Sequence, residues 1–151
     1  RPMQNSENNL FDEVMALKQK GQFDQISALI PYSAFVGIEL EVKEGELITR
    51  LRCRPSNIGN TTIPAVHGGV VGALLEHAGV MHIIHDCDIR RFPKIINISV
   101  DYLRPCIGTE DTFARGYLIK QGRSVSNVRI EAWQQDQTRP VAAAHAHFLM
   151  G

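Results

Sequence analysis

His67-Gly68-Gly69 and, nine positions after the histidine, Glu76 are the residues whose types and spacing suit chemistry at a carbonyl group. A carboxylate can take a proton from an attacking water or attack a carbonyl carbon itself. Free backbone amides at the start of a helix, with the positive end of the helix dipole behind them, can hold a developing oxyanion. Two consecutive glycines let a substrate approach that backbone with no Cβ in the way. His67 invites a catalytic-triad reading, but no serine or cysteine nucleophile accompanies it. Fixing the turn is its expected task, with general-base duty as the alternative.

These residues must be carried by a helix. At 100° per residue, Val70, Val71, Leu74, Leu75, Ala78 and Met81 fill one side of it, and Ala73, Val80, Ile83 and Ile84 much of the other. A helix apolar nearly all round is normally wrapped by its domain. Glu76 falls in a narrow stripe of small residues with Gly69, Gly72 and Gly79, where a backbone or a ligand is expected to come close. The helix is expected to end near His85. His77 points about 100° away from Glu76 and is read as a packing residue. His82, His85, Asp86, Cys87 and Asp88 hold metal-ligand types without a recognised metal-site spacing, and His145 and His147 read as surface residues, so no metal site is assigned.

The remaining elements follow from periodicity. Arg1 to Asn9 reads as a frayed leader, with Asn9 capping a helix that carries Leu10, Phe11, Val14 and Leu17. A second helical piece spans Asp24 to Ile30. Ile38, Leu40 and Val42, the Glu44-Gly45 turn, then Leu47, Leu51 and Cys53 predict a β-hairpin. Arg54 to Ala65 is a turn-rich loop leading into the long helix. The last third is strand: Ile96 to Tyr102, Phe113 to Lys120, a strand carrying Val128, Ile130 and Ala132, and a final one with Ala142, Ala144, Ala146 and Phe148. Helix, hairpin, long helix and four strands predict an α+β domain, an antiparallel sheet curled round one helix.

Composition sets the class. The chain has 151 residues, 44% hydrophobic and 21% charged, with 16 basic residues balancing 16 acidic ones. A single domain with a proper core is expected, and a dominant nucleic-acid or anionic-membrane surface is not. The polar first nine residues lack the apolar stretch of a signal peptide. Cys53, Cys87 and Cys106 are odd in number and scattered, which suits reduced thiols and a cytoplasmic location.

Asn60, His67-Gly68-Gly69, the acid nine residues after the histidine, Tyr102-Leu103-Arg104-Pro105, Gly108, Gly122-Arg123 and Val141-Ala142 together resemble the hotdog-fold acyl-CoA thioesterases of the phenylacetate-pathway (PaaI-like) type and their 4-hydroxybenzoyl-CoA thioesterase relatives. The resemblance runs from Phe35 to Met150. It implies an N-terminal helical extension over residues 1–33 and a hotdog domain over residues 34–151. It implies hydrolysis of small acyl-CoA or aryl-CoA thioesters, with no metal or redox cofactor, by a homodimer or a dimer of dimers carrying the substrate at the subunit interface. It makes Glu76 the catalytic acid, Gly68 the oxyanion amide, and Asn60 the assisting side-chain amide, with Thr61 or Asn57 as alternatives. Gly69 belongs to the same turn. Ile95 stands where relatives carry serine or threonine, followed by polar Asn97 and Ser99. Arg104, Lys120 and Arg123 are candidates for the CoA phosphates.

One geometric consequence stands apart from the resemblance. Gly68 and Glu76 are eight residues apart, about 12 Å along a helix axis. Both cannot touch one carbonyl carbon from the same chain, so a site using both must combine two subunits. The alternative function is a non-catalytic acyl-CoA or lipid-binding module. A hydratase of the same fold would need a paired histidine and acid in motifs this chain lacks.

Overall fold

The computed structural model describes residues 2–30, 37–60 and 65–150. Helix α1 (Pro2–Gln19) leads into a 3-10 helix (Phe23–Leu29), then β1 (Ile38–Lys43), β2 (Glu46–Leu51), β3 (Ile58–Asn60), β4 (Ala65–Val66), the long helix α2 (Gly68–Asp86), β5 (Lys94–Tyr102), β6 (Thr112–Gln121), β7 (Val125–Trp133) and β8 (Ala142–Leu149). Six strands form one antiparallel sheet in the order β1-β2-β6-β7-β8-β5, and β3 pairs with β4 in a separate ribbon. Among the described residues no helix is long and apolar enough to cross a membrane.

The β1–β2 hairpin forms as expected, with Lys43 opposite Glu46, except that β2 ends at Leu51 and leaves Cys53 exposed beyond it. Its two turn residues, Glu44 (φ 54°) and Gly45 (φ 78°), both take the left-handed conformation that a tight hairpin demands. Helix α1 departs from expectation. It begins at Pro2, so Asn9 lies inside it and caps nothing. Glu7, Asn8 and Asn9 are exposed, and an exposed polar turn leaves no apolar period to read. Arg1 and the expected domain boundary between residues 33 and 34 lie outside the described residues.

Helix α2 crosses the concave side of the sheet, and two clusters of buried side chains fix it there. On the sheet side, Leu74, Leu75 and Ala78 pack with Val128, Ile130, Ala144, Ala146 and Phe148. The small side chains of β8 let the helix come near. So do two glycines: a Cβ on Gly79 would lie 3.1 Å from Phe148 and 3.2 Å from Ile130, and one on Gly116 of β6 only 2.7 Å from the His82 Cβ. On the other side, Met81 and Ile84 pack with Val14, Phe23, Ile26, Leu40 and Leu47. The N-terminal helical segment thus has its own core with α2. β5 is an edge strand. Ile98 and Val100 pack against the sheet-side core, while Ile95 and Ile96 are 37% and 53% exposed.

Candidate active site

The start of α2 is held from three sides. His67 is the N-cap, and its Nδ1 accepts a 2.9 Å hydrogen bond from the Gly69 N–H. This is the turn-fixing role expected of it. The Val70 N–H donates to the His67 carbonyl at 2.9 Å, and the His67 N–H donates to the Asn57 carbonyl at 2.7 Å. The Tyr102 hydroxyl donates to the Gly68 carbonyl at 2.8 Å. The β3–β4 ribbon is tied to the loop after β5 by the Val66 N–H, which donates to the Cys106 carbonyl at 2.8 Å. Gly59 admits His67, since a Cβ there would lie 3.1 Å from the His67 Cα.

One amide is left over. Gly69 and Val70 have partners, whereas the Gly68 N–H has none among the described residues. Gly68 is exposed at the first helical position, and it lines a cleft of about 350 Å³ with Val71, Tyr102, Arg104 and Pro105. An unpaired amide at the positive end of a 19-residue helix is a ready anion site. Arg104, expected near CoA phosphates, borders this cleft, and its Nη1 donates to the Pro140 carbonyl at 2.6 Å.

Glu76 lies two turns further along α2 and is half-buried. Among the described residues its carboxylate has no hydrogen-bond or ion-pair partner. It borders an apolar groove of about 370 Å³ whose walls include Leu10, Ala73, His77, Val80 and Phe92. The stripe of small residues on which it sits is approached by side chains of this chain. Gly79 is filled by Phe148 and Ile130, and a Cβ on Gly72 would lie 3.3 Å from the Tyr102 hydroxyl. Sheet side chains make the close approach at Gly72 and Gly79, and the His67 ring makes it at Gly69. Beside Glu76, burial lowers the pKa of His77 to about 4, so its imidazole is neutral near neutral pH.

The other expected residues are scattered. The backbone of Asn60 closes β3 opposite Ala65; its side chain and Thr61 lie outside what is described, and Asn57 is buried. Asn97 and Ser99 pair with His147 and His145 on the face of β5 away from α2, and Asn97 Oδ1 meets His147 Nδ1 at 2.8 Å. Within one chain they do not reach Glu76. Arg123 borders a separate cleft with Asp88 and Arg90 beyond the far end of α2, and Lys120 is exposed near the end of β6. A single chain does not bring Arg104 and Arg123 together. His82 and His85 share Asp86, at 3.4 and 2.5 Å, and burial lowers the His82 pKa despite that carboxylate. Sequence reasoning alone misses Tyr102 as a site residue; its place at the head of Tyr-Leu-Arg-Pro is the signal that leads to it.

Comparison with known proteins places the chain in a family. The thioesterase superfamily profile matches residues 64–141, from the approach to α2 to the residue before β8. The medium/long-chain acyl-CoA thioesterase YigI of Escherichia coli is 29% identical over 136 residues, covering 81% of this chain and 86% of its own. A crystal structure from Chromobacterium violaceum is 34% identical, with a TM-score of 0.76, over 93% of this chain and 97% of the other. The phenylacetic acid degradation protein PaaI of Thermus thermophilus shares the fold at 18% identity, with a TM-score of 0.65 over 80% and 99% of the two chains.

Proposed function

The chain belongs to the thioesterase superfamily, and from that premise we propose that it hydrolyses acyl-CoA thioesters to the free acid and CoA. The observation that carries the proposal is the Gly68 amide at the mouth of α2, on the same helix as the Glu76 carboxylate, both without a partner among the described residues. The Gly68 N–H holds the oxyanion that forms when the thioester carbonyl is attacked. Glu76 supplies the attack, either by taking a proton from water or by adding to the carbonyl itself. His67 keeps Gly69 engaged, so that Gly68 alone faces the substrate. Tyr102 holds the Gly68 peptide by its carbonyl and thereby aims its neighbouring amide. The naming of the Escherichia coli relative supports an acyl-CoA substrate.

The site is shared between two copies of the chain. Eight residues of helix separate Gly68 from Glu76, about 12 Å, which is too far for one carbonyl. Edge strand β5 supports the same reading: it offers a free hydrogen-bonding edge with Ile95 and Ile96 exposed on it, and such an edge pairs readily with another strand. A twofold dimer of this kind carries two equivalent sites.

Thiol release from a panel of acyl-CoAs tests the proposal. Wild type turns over at least one member, and Glu76→Ala loses about 100-fold or more in kcat, the usual scale for removing a general base. Binding of acyl-CoA without any hydrolysis favours a non-catalytic carrier instead.

A further inference from the structure

The groove beside Glu76 points to the shape of the acyl group. Glu76, Val80 and Ile84 stand at i, i+4 and i+8 on α2, so they form one row along the helix. The carboxylate heads the row and the rest is aliphatic. Opposite the row, Leu10 of α1, Ile30 and Phe92 complete an apolar trough, and the Phe11 and Phe92 rings meet edge to face at 5.2 Å between centroids, bracing α1 over it. Met81 and Ile84 join the trough to the core beneath α1. Among the described residues no charged side chain other than Glu76 borders it.

We propose that this trough holds the acyl chain, that α1 is its outer wall, and that Leu10 helps set the chain length accepted, the favoured substrate being an unbranched medium-chain acyl-CoA. The inference rests on the thioesterase reading above. The dimensions carry the choice of chain. From Glu76, where the carbonyl sits, to Ile84 the trough runs about 12 Å along α2 at 1.5 Å per residue. Its volume is about 370 Å³, and it is open to solvent along one side. A long, narrow trough of this size suits an extended chain of about ten carbons, whereas an aromatic ring would leave most of its length unfilled. Ordering follows too: the reacting carbonyl lies at the Glu76 end and the chain runs past Val80 toward Ile84.

The test is the ratio of kcat/KM for decanoyl-CoA to that for butyryl-CoA, in wild type, Leu10→Trp and Leu10→Ala. The expected results are a ratio above one in wild type, at least tenfold lower in Leu10→Trp, and an optimum moved to longer chains in Leu10→Ala. A wild type that prefers butyryl-CoA or phenylacetyl-CoA overturns the inference, as does a ratio unchanged within twofold in both variants; the thioesterase reading survives either result. Should Leu10→Trp lose its helical circular dichroism, Val80→Phe narrows the trough from the other wall and is read the same way. If wild type hydrolyses nothing, the thioesterase reading falls, and calorimetric titration of the same acyl-CoAs decides the trough alone. Affinity rising about tenfold for every two methylenes upholds it, and affinity indifferent to chain length overturns it. A Leu10→Trp protein with altered sedimentation mass and an unaltered ratio makes the trough a contact between copies, which also overturns it.

Discussion

The two long faces of α2 are built on opposite plans. Toward the sheet, the middle of the helix is closely packed: Phe148 and Ile130 fill the space over Gly79, His82 fills the space over Gly116, and the alanines of β8 bring the strand close. Toward α1, the same helix presents Ala73, Val80 and a carboxylate to an open trough. Packing to the density of a crystal stabilises a fold but leaves no room for a substrate. An apolar face left unfilled gives up some of that stabilisation and gains a place to bind. Glu76 sits on the boundary between the two plans, and the unpaired Gly68 amide stands at the end of the helix that both faces share.

The contrast can be broken from either side. The largest expected effect comes from deleting the Gly68 N–H. His67 has φ −56° and ψ 132°, an extended conformation that proline accepts in the residue before it, and Gly68 occupies the first helical position, where proline is at home. Gly68→Pro therefore removes one donor while keeping the helix. We expect kcat to fall by about 10²–10³-fold with the melting temperature little changed, whereas Gly68→Ala, which keeps the N–H and places its Cβ 3.8 Å from Tyr102, falls far less. Equal losses in the two variants would assign the effect to bulk and not to the amide.

On the closed face, Gly116→Ala puts a Cβ against His82 and should cost about 1–3 kcal/mol, seen as a melting temperature lower by several degrees. Ala73→Leu on the open face should stay within about 0.5 kcal/mol of wild type. A similar cost for both would mean that the trough is as tightly constrained as the sheet side.

His77 gives a smaller effect that depends on pH. Its pKa drops from 6.5 when unfolded to about 4 when folded, so between those values the unfolded chain binds more protons. Its share of stability is therefore intact above pH 6.5 and is lost as pH falls toward 4. In His77→Leu the fall in stability between pH 7 and 5 should be shallower by up to about 2 kcal/mol, measured as the slope of denaturant stability against pH. An unchanged slope would place the acid sensitivity elsewhere. Tyr102→Phe is the mildest change: losing one hydrogen bond to the Gly68 carbonyl should cost about 1 kcal/mol and lower kcat a few-fold through a less firmly aimed amide, with KM for the acyl chain unmoved.

How much of this the sequence discloses depends on whether a signal is local. The hairpin turn at Glu44-Gly45, the alternating strands and the wrapped helix are written in short periods, and they form where expected. The capping role of His67 is equally local, two residues from the amide it engages. The length of α1 is not, because its first turns expose polar residues that carry no apolar period. The β3–β4 ribbon is two short strands inside a stretch full of turn residues. The stripe of small residues on α2 is visible in sequence, but which partner fills it is decided by Phe148 and Tyr102, distant residues brought in by the sheet. For the same reason the separation of Arg104 from Arg123, and the outward turn of Asn97 and Ser99, appear only once the strands are in register.

The central claim is that Gly68 of one chain works with Glu76 of another. Mixing Glu76→Ala with Gly68→Pro, each nearly inactive alone, tests it most directly. Random exchange of twofold dimers should restore about a quarter of wild-type thiol release, since half the dimers are hybrids and each hybrid has one intact site. Activity that stays at the level of the separate variants, although native mass spectrometry shows the hybrids have formed, would contradict a shared site.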